Sequence, residues 1–232
     1  MKLNRVEKID NTVKVQTALI SVADKSSLEI IVKGLIESNP EITILSTGGT
    51  YGKIKEILEN LGGRYPVPQT MLSPVSEYTG QPEMQGGLVK TLDFKIYLGL
   101  LSETYNSAHQ SDLDRTKSKP IDMVIVNLYP FRETIASEGV TAEDARTNID
   151  IGGPCMLRAS AKNYLRVAPV CDPGDYRSIV DELKEREGHI CLETRLSLAK
   201  KAFRHTADYD AAIAEYLAGV DLGQLETIYT LH

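Results

Sequence analysis

β-Branched and apolar residues crowd Val13–Val22 (VKVQTALISV), which predicts a strand, apolar toward its end as in a buried parallel sheet. After the polar turn Ala23-Asp24-Lys25-Ser26, apolar positions return at Leu28, Ile31, Val32, Leu35 and Ile36. Steps of three and four place them on one face of a helix, with Asp24 or Ser26 positioned to cap it. The unit then repeats. Ile42–Leu45 predicts a second strand and Ser46-Thr47-Gly48-Gly49-Thr50 a tight turn. Ile54, Ile57, Leu58 and Leu61 form a second helical stripe, stopped by Gly62-Gly63. Ile121–Leu128 (IDMVIVNL) predicts a third strand and Val167–Cys171 (VAPVC) a fourth. Between them Gly152-Gly153-Pro154 opens a helix carrying Met156, Leu157 and Ala161. The Ala-rich stretch Leu192–Leu217 reads as two helices. Residues 65–120 are the least regular, with a polar run from Ser102 to Lys119.

Strands alternating with helices predict an α/β fold with a mainly parallel sheet. No low-complexity linker divides the chain, so one α/β domain is expected over residues 13–220, between an extension (1–12) and a tail (221–232). With 42% hydrophobic and 25% charged residues, 232 residues can bury a core without staples. The 26 Lys+Arg against 32 Asp+Glu leave a charge of −6, which argues against nucleic acid as the main partner. Three cysteines (Cys155, Cys171, Cys191) contain no C-x-x-C pair, and an odd count without a secretion signal reads as reduced thiols in the cytoplasm. The N-terminal MKLNRVEKIDNT lacks an apolar core, and no segment approaches the roughly 18 apolar residues of a spanning helix. Signal-peptide, membrane and zinc-ribbon readings fall away.

Two consecutive strands each deliver a small, polar turn to a helix start: Ser21-Val22-Ala23-Asp24-Lys25-Ser26 and Ser46-Thr47-Gly48-Gly49-Thr50. In a parallel sheet both turns share one carboxyl edge, where helix N–H groups and Lys25 favour an anion such as phosphate. The plain alternative is a tight glycine turn beside a solvated lysine. Lys90-Thr91 stands in the otherwise uncharged stretch Met84–Leu92, either a site lysine or a surface one. Asn127 and Tyr129 end the third strand. Asp150, before Ile151-Gly152-Gly153, is a helix cap or an acid–base group. Arg158 and Lys162, four apart, are either site cations or a solvated stripe. The four histidines (His109, His189, His205, His232) share no metal-ligand spacing, and His205 reads as a packing residue.

Six motifs in order go further: ALISVADKSSL, LSTGGT, VSEYTGQPEMQGGLVKTL, IDMVIVNLYPF, IDIGGPCMLRASAKN and ETRLSLAKKAFRHTADYDAAIAEYL. Together they resemble inosine monophosphate (IMP) cyclohydrolase, over roughly residues 15–217. In most organisms that enzyme is the N-terminal domain of a bifunctional purine-biosynthesis protein. The resemblance implies a methylglyoxal-synthase-like three-layer α/β sandwich, a homodimer, and no metal or organic cofactor. It implies closure of the second purine ring of 5-formamidoimidazole-4-carboxamide ribotide (FAICAR), a nucleotide, with a separate transformylase as a possible partner. It carries the catalytic roles to Lys90, Tyr129, Asp150 and Lys162. Substrate contacts fall to Ser21, Lys25, Thr47, Gly48, Gly49, Thr50, Thr91, Asn127, Ile151 and Gly152.

The chain also departs from the family pattern. Ala23 stands where serine is usual, Leu88 where arginine is usual, and the run His-Pro-Lys-Ile-His-Gly-Gly reads Asp93-Phe94-Lys95-Ile96-Tyr97-Leu98-Gly99. Leucine for arginine removes a charge and a forked donor. Two other functions compete with the cyclohydrolase: a non-catalytic nucleotide-binding module serving a separate transformylase, and a phosphate-eliminating lyase resembling methylglyoxal synthase. The chain ends at His232 without the second domain of the bifunctional protein, and Leu88 favours a stand-alone branch over an excised domain.

Overall fold

The run expected as one strand breaks at Val15-Gln16, and the break decides how the sheet is built. Strand β1 (Thr12–Lys14) pairs antiparallel with β7 (His189–Cys191), while β2 (Thr17–Val22) enters a separate five-stranded sheet. Asp122 explains the switch. Its Oδ2 accepts the N–H groups of Gln16 and Thr17, both at 2.9 Å, and two consecutive amides turned to one carboxylate cannot serve a strand ladder. The computed structural model describes residues 5–61, 71–82 and 90–231. Gly62-Gly63, Leu88 with the rest of 83–89, and His232 lie outside the described residues.

In chain order, β2 is followed by α1 (Leu28–Ser38), β3 (Thr43–Ser46), α2 (Gly48–Asn60), β4 (Leu72–Pro74), α3 (Val75–Thr79), α4 (Phe94–Leu101) and α5 (Ser107–Thr116). Then come β5 (Met123–Asn127), α6 (Phe131–Ile135), α7 (Ala142–Thr147), α8 (Gly152–Lys162) and β6 (Ala168–Val170). A 3-10 turn at Pro173–Asp175, α9 (Tyr176–Glu185), β7, α10 (Leu192–Ala218) and α11 (Leu222–Glu226) complete it. The large sheet has the order β4-β3-β2-β5-β6, and every neighbouring pair is parallel. Side chains alternate across it. Ala18, Ile20 and Val22 of β2 and Met123 and Ile125 of β5 pack with α1, α2 and α9, while Leu19, Val124 and Val126 pack with α4, α8 and α10. This is the expected three-layer α/β sandwich.

Several elements differ from the sequence expectation. The Ala-rich tail is one helix of 27 residues, because the buried stripe Leu198, Ala199, Ala202, Thr206, Tyr209 and Ala212 runs on with no glycine or proline before Gly219. The polar run after Ser102 contains α5, whose buried contribution is Leu113 alone. Asn106 starts it by accepting from the N–H groups of Ala108 and His109, so a cap stands in for hydrophobic periodicity. Helix α1 begins at Leu28, after Ser27, without the expected side-chain cap. Asp24 instead accepts from Ser26 N–H, which holds its carboxyl below the usual value. The short edge strand β4 carries Pro74 and left no periodic signal.

Asp122 is itself held by Arg166, whose Nη1 donates to Oδ1 at 2.9 Å, and the two side chains are only 9% and 8% exposed. Burial pushes the Asp122 carboxyl up and the Arg166 guanidinium down, each against the pull of its partner. Arg166 also donates to the carbonyls of Ser102 and Gly99, linking α4 to the sheet. Removing one member of such a pair strands the other charge in the interior. Arg166→Met is therefore expected to cost about 3–5 kcal/mol, read from the urea midpoint; an unchanged midpoint would show that the pair does not hold the β1–β2 break.

Candidate functional site

The carboxyl ends of β2, β3 and β5 finish side by side, and the turns leaving them are tied together by side chains. Thr50, in the first turn of α2, accepts from Val22 N–H at 3.0 Å and donates to the Val22 carbonyl at 3.1 Å. The hydroxyls of Ser21 and Thr47 are 2.7 Å apart. Asn127 accepts from Asp24 N–H at 2.9 Å and donates to its carbonyl at 3.0 Å. These bonds close one wall of a cleft of about 390 Å³, within the size range of small-molecule sites. Its lining includes Ser21, Lys25, Thr47, Gly48, Gly49, Thr50, Lys90, Thr91, Asn127, Tyr129, Asp150, Ile151 and Gly152.

The cationic side of the cleft is built on the start of α2. Gly48 has a left-handed φ of +42°, and a Cβ there would sit 3.2 Å from Lys90 Nζ, so glycine serves both the turn and the lysine's approach. At Gly49 a Cβ would lie 3.8 Å from Lys25 Cε. Lys25 itself donates to the Ala23 carbonyl at 3.1 Å. The Thr47 side chain makes no cap on α2, and Lys25 and Lys90 both approach its first turn, an arrangement that favours an anion.

The acidic side is built on the start of α8. Asp150 Oδ1 accepts from Gly153 N–H at 2.9 Å, and a Cβ at Gly153 would lie 2.5 Å from Oδ2 and 2.7 Å from Leu128. Glycine there lets the carboxylate fold back onto its own helix. Burial raises the Asp150 carboxyl above its ordinary value, while hydrogen bonds from Gly153 and Gly152 N–H draw it down. Thr91 is buried beside Gly152. Tyr129 and Ile151, 55% and 58% exposed, form the rim.

Lys162 is the exception among the expected catalytic residues. It is exposed at the last turn of α8 and does not line the cleft. Ten helical rises separate it from Gly152, about 15 Å, so the match of its motif does not translate into proximity. Leu88 lies outside the described residues. Conversely, sequence reasoning gave no role to Thr147, Asn148 and Ile149, which line the cleft from the end of α7 and its connection to α8. Their only signal was adjacency to Asp150. Two of the expected contacts are already engaged internally: the Asn127 amide with Asp24 and the Thr50 hydroxyl with Val22. His205 is half-buried on α10 and its Nε2 has no hydrogen-bond partner among the described residues. Among these residues, no three His, Cys, Asp or Glu side chains cluster as metal ligands, and no helix is long and apolar enough to cross a membrane.

Residues 160–231 match the family model of the AICARFT/IMPCHase bienzyme, and residues 67–155 match the MGS-like domain. The bifunctional purine biosynthesis protein PurH of Bacillus subtilis is 46% identical over 206 residues, 89% of this chain and 38% of that protein. PurH of Magnetococcus marinus is 44% identical over 208 residues, 90% of this chain and 37% of that protein. The chain thus spans well under half the length of these relatives. The crystal structure of ForH superposes with a TM-score of 0.73 at 29% identity, covering 88% of this chain and 97% of that one. The AICARFT/IMPCHase bienzyme model and the MGS-like domain thus match adjoining parts of this chain, and the likeness to PurH runs along nine-tenths of its length.

Proposed function

We propose that the chain is an IMP cyclohydrolase, closing the ring of FAICAR with loss of water. The observation that supports this most is the convergence of Lys25 and Lys90 on the uncapped start of α2, with Asp150 lining the same cleft at the start of α8. The anion-favouring side suits the ribotide phosphate, held by Lys25, the hydroxyls of Ser21 and Thr47, and N–H groups at Gly48 and Gly49. Ring closure joins the carboxamide nitrogen to the formyl carbon, and the formyl oxygen leaves as water with two protons from the substrate nitrogens. Asp150, with a carboxyl raised by burial, is suited to accept the first of these protons. Lys90 is placed to neutralise the oxygen as it gains charge. Tyr129 and Thr91 flank the reacting groups, Ile151 stands at the rim, and Gly152 lines the cleft beside Thr91. Lys162 has no part in this cleft. Because the reaction is intramolecular, holding the formyl and amide groups together supplies much of the acceleration. The same reading takes the protein to be a cytoplasmic homodimer that works with a transformylase partner or domain.

The direct test is conversion of FAICAR to IMP by the purified chain, followed by absorbance; nucleotide binding without turnover would leave a binding module instead. Lys25→Ala is expected mainly to raise KM, since a remote phosphate contact is largely uniform binding. One charged hydrogen bond corresponds to about 1.5–3 kcal/mol, and an unchanged KM would remove the phosphate from this edge. Lys90→Ala is expected to lower kcat about 10²-fold or more, the scale of losing a preorganised oxyanion donor. A folded Lys90→Ala with wild-type kcat would overturn its role.

A further inference from the structure

Helix α10 lies behind the cleft and contributes no side chain to its lining, yet one of its residues reaches both loops that carry the reacting groups. Tyr209 is 8% exposed. Its hydroxyl accepts from Asp150 N–H at 2.8 Å and lies 3.4 Å from the Asn148 carbonyl, to which it donates. Its ring meets Phe131 edge to face, with centroids 6.2 Å apart at 68°, and Tyr216, two turns on, meets the same ring at 5.9 Å and 88°. Phe131 N–H in turn donates to the Tyr129 carbonyl at 2.8 Å.

We infer that Tyr209 is a positioning residue for the reaction proposed above, fixing the main chain at Asp150 through its hydroxyl and the Tyr129 loop through its ring. The inference rests on that functional reading. Asp150 is then anchored twice: its side chain forward to Gly153 N–H, and its backbone rearward to Tyr209. The loop before it is held to α7 by Asn148 N–H to Ala145 and Ile149 N–H to Arg146, at 3.1 and 3.3 Å, and by the Asn148 amide to the Asp144 carbonyl at 2.8 Å; Asp150 N–H itself is held by the Tyr209 hydroxyl. Burial pushes the Tyr209 phenol above its usual value, so it remains a neutral group able to donate and accept across the neutral range.

The test is Tyr209→Phe, which removes the hydroxyl and keeps the ring on Phe131. The expected result is a fall in kcat of about tenfold to a hundredfold, the scale of a small displacement of a reacting group. KM for FAICAR should stay within about twofold, because the phosphate contacts lie on other elements. The acidic limb of the kcat profile should move, since Asp150 loses its fixed relation to Gly153 N–H. Tyr105→Phe, which removes an exposed hydroxyl bonded to Asp10, should leave all three unchanged. Wild-type kcat and an unshifted limb in folded Tyr209→Phe would overturn the inference. If that variant does not fold, hydrogen exchange in the wild-type protein decides: the Asp150 amide should exchange more slowly than its loop neighbours, and unprotected exchange would overturn it. Absence of FAICAR turnover by the wild-type protein would defeat the functional reading, while the exchange arm would still test the anchor.

Discussion

The parallel registration of β2 between β3 and β5 is the constraint on which the rest of the site depends. Ser21 lies opposite Val126 and Val22 opposite Asn127, while Ile20 lies opposite Ser46, so three strands end at nearly one level. Parallel strands must each be followed by a crossover, and every crossover here begins at that edge. The bonds from Thr50 to Val22 and from Asn127 to Asp24 then convert three independent turns into one rigid wall. Several of the polar residues that line the cleft therefore build it as well.

Two helices begin at the cleft, and they are finished in opposite ways. Helix α2 starts without a side-chain cap from Thr47 and gathers two lysines at its positive end, which favours negative charge there. Helix α8 carries its own anion, Asp150, folded onto Gly153 N–H. The pair gives the cleft a cationic side and a side that carries a carboxylate. Burial and the two glycine N–H groups act in opposite directions on that carboxylate, and the net result is a carboxyl raised above its ordinary value.

The far end of the molecule shows what buried charge does when no ligand is involved. Arg195 is fully buried and donates to five carbonyls, those of Asp10, Asn11, Tyr164, Leu165 and Ile190. It joins the N-terminal segment, the α8–β6 connection and β7 to α10. Asp122 and Arg166 do the same for β2 and α4. Every polar atom in these clusters serves the scaffold. The carboxyl edge, by contrast, gathers Lys25 and Lys90 beside an open cleft.

Local chemistry explains what could be read from the chain alone. Strands β2, β3 and β5, helices α1, α2 and α8, and the glycine turns at residues 48–49 and 152–153 each declare themselves within a few residues, through periodicity or backbone demand. Their alternation carries the parallel sheet, and the parallel sheet brings the two turns to one edge. What remained hidden depends on partners distant in sequence. Val13–Val22 looks like one strand because the carboxylate that breaks it lies at Asp122, more than a hundred residues on. The polar α5 is set by a cap rather than a stripe. Lys162 shares a motif with Asp150, but a straight helix carries it away from the cleft. Tyr209 reads as a core residue of an Ala-rich helix, and only packing brings its hydroxyl to Asp150 across 59 positions. Sequence by itself determined the elements and their common edge, because those follow from local sterics and burial; tertiary structure decided which polar groups meet there, because that follows from how the layers close.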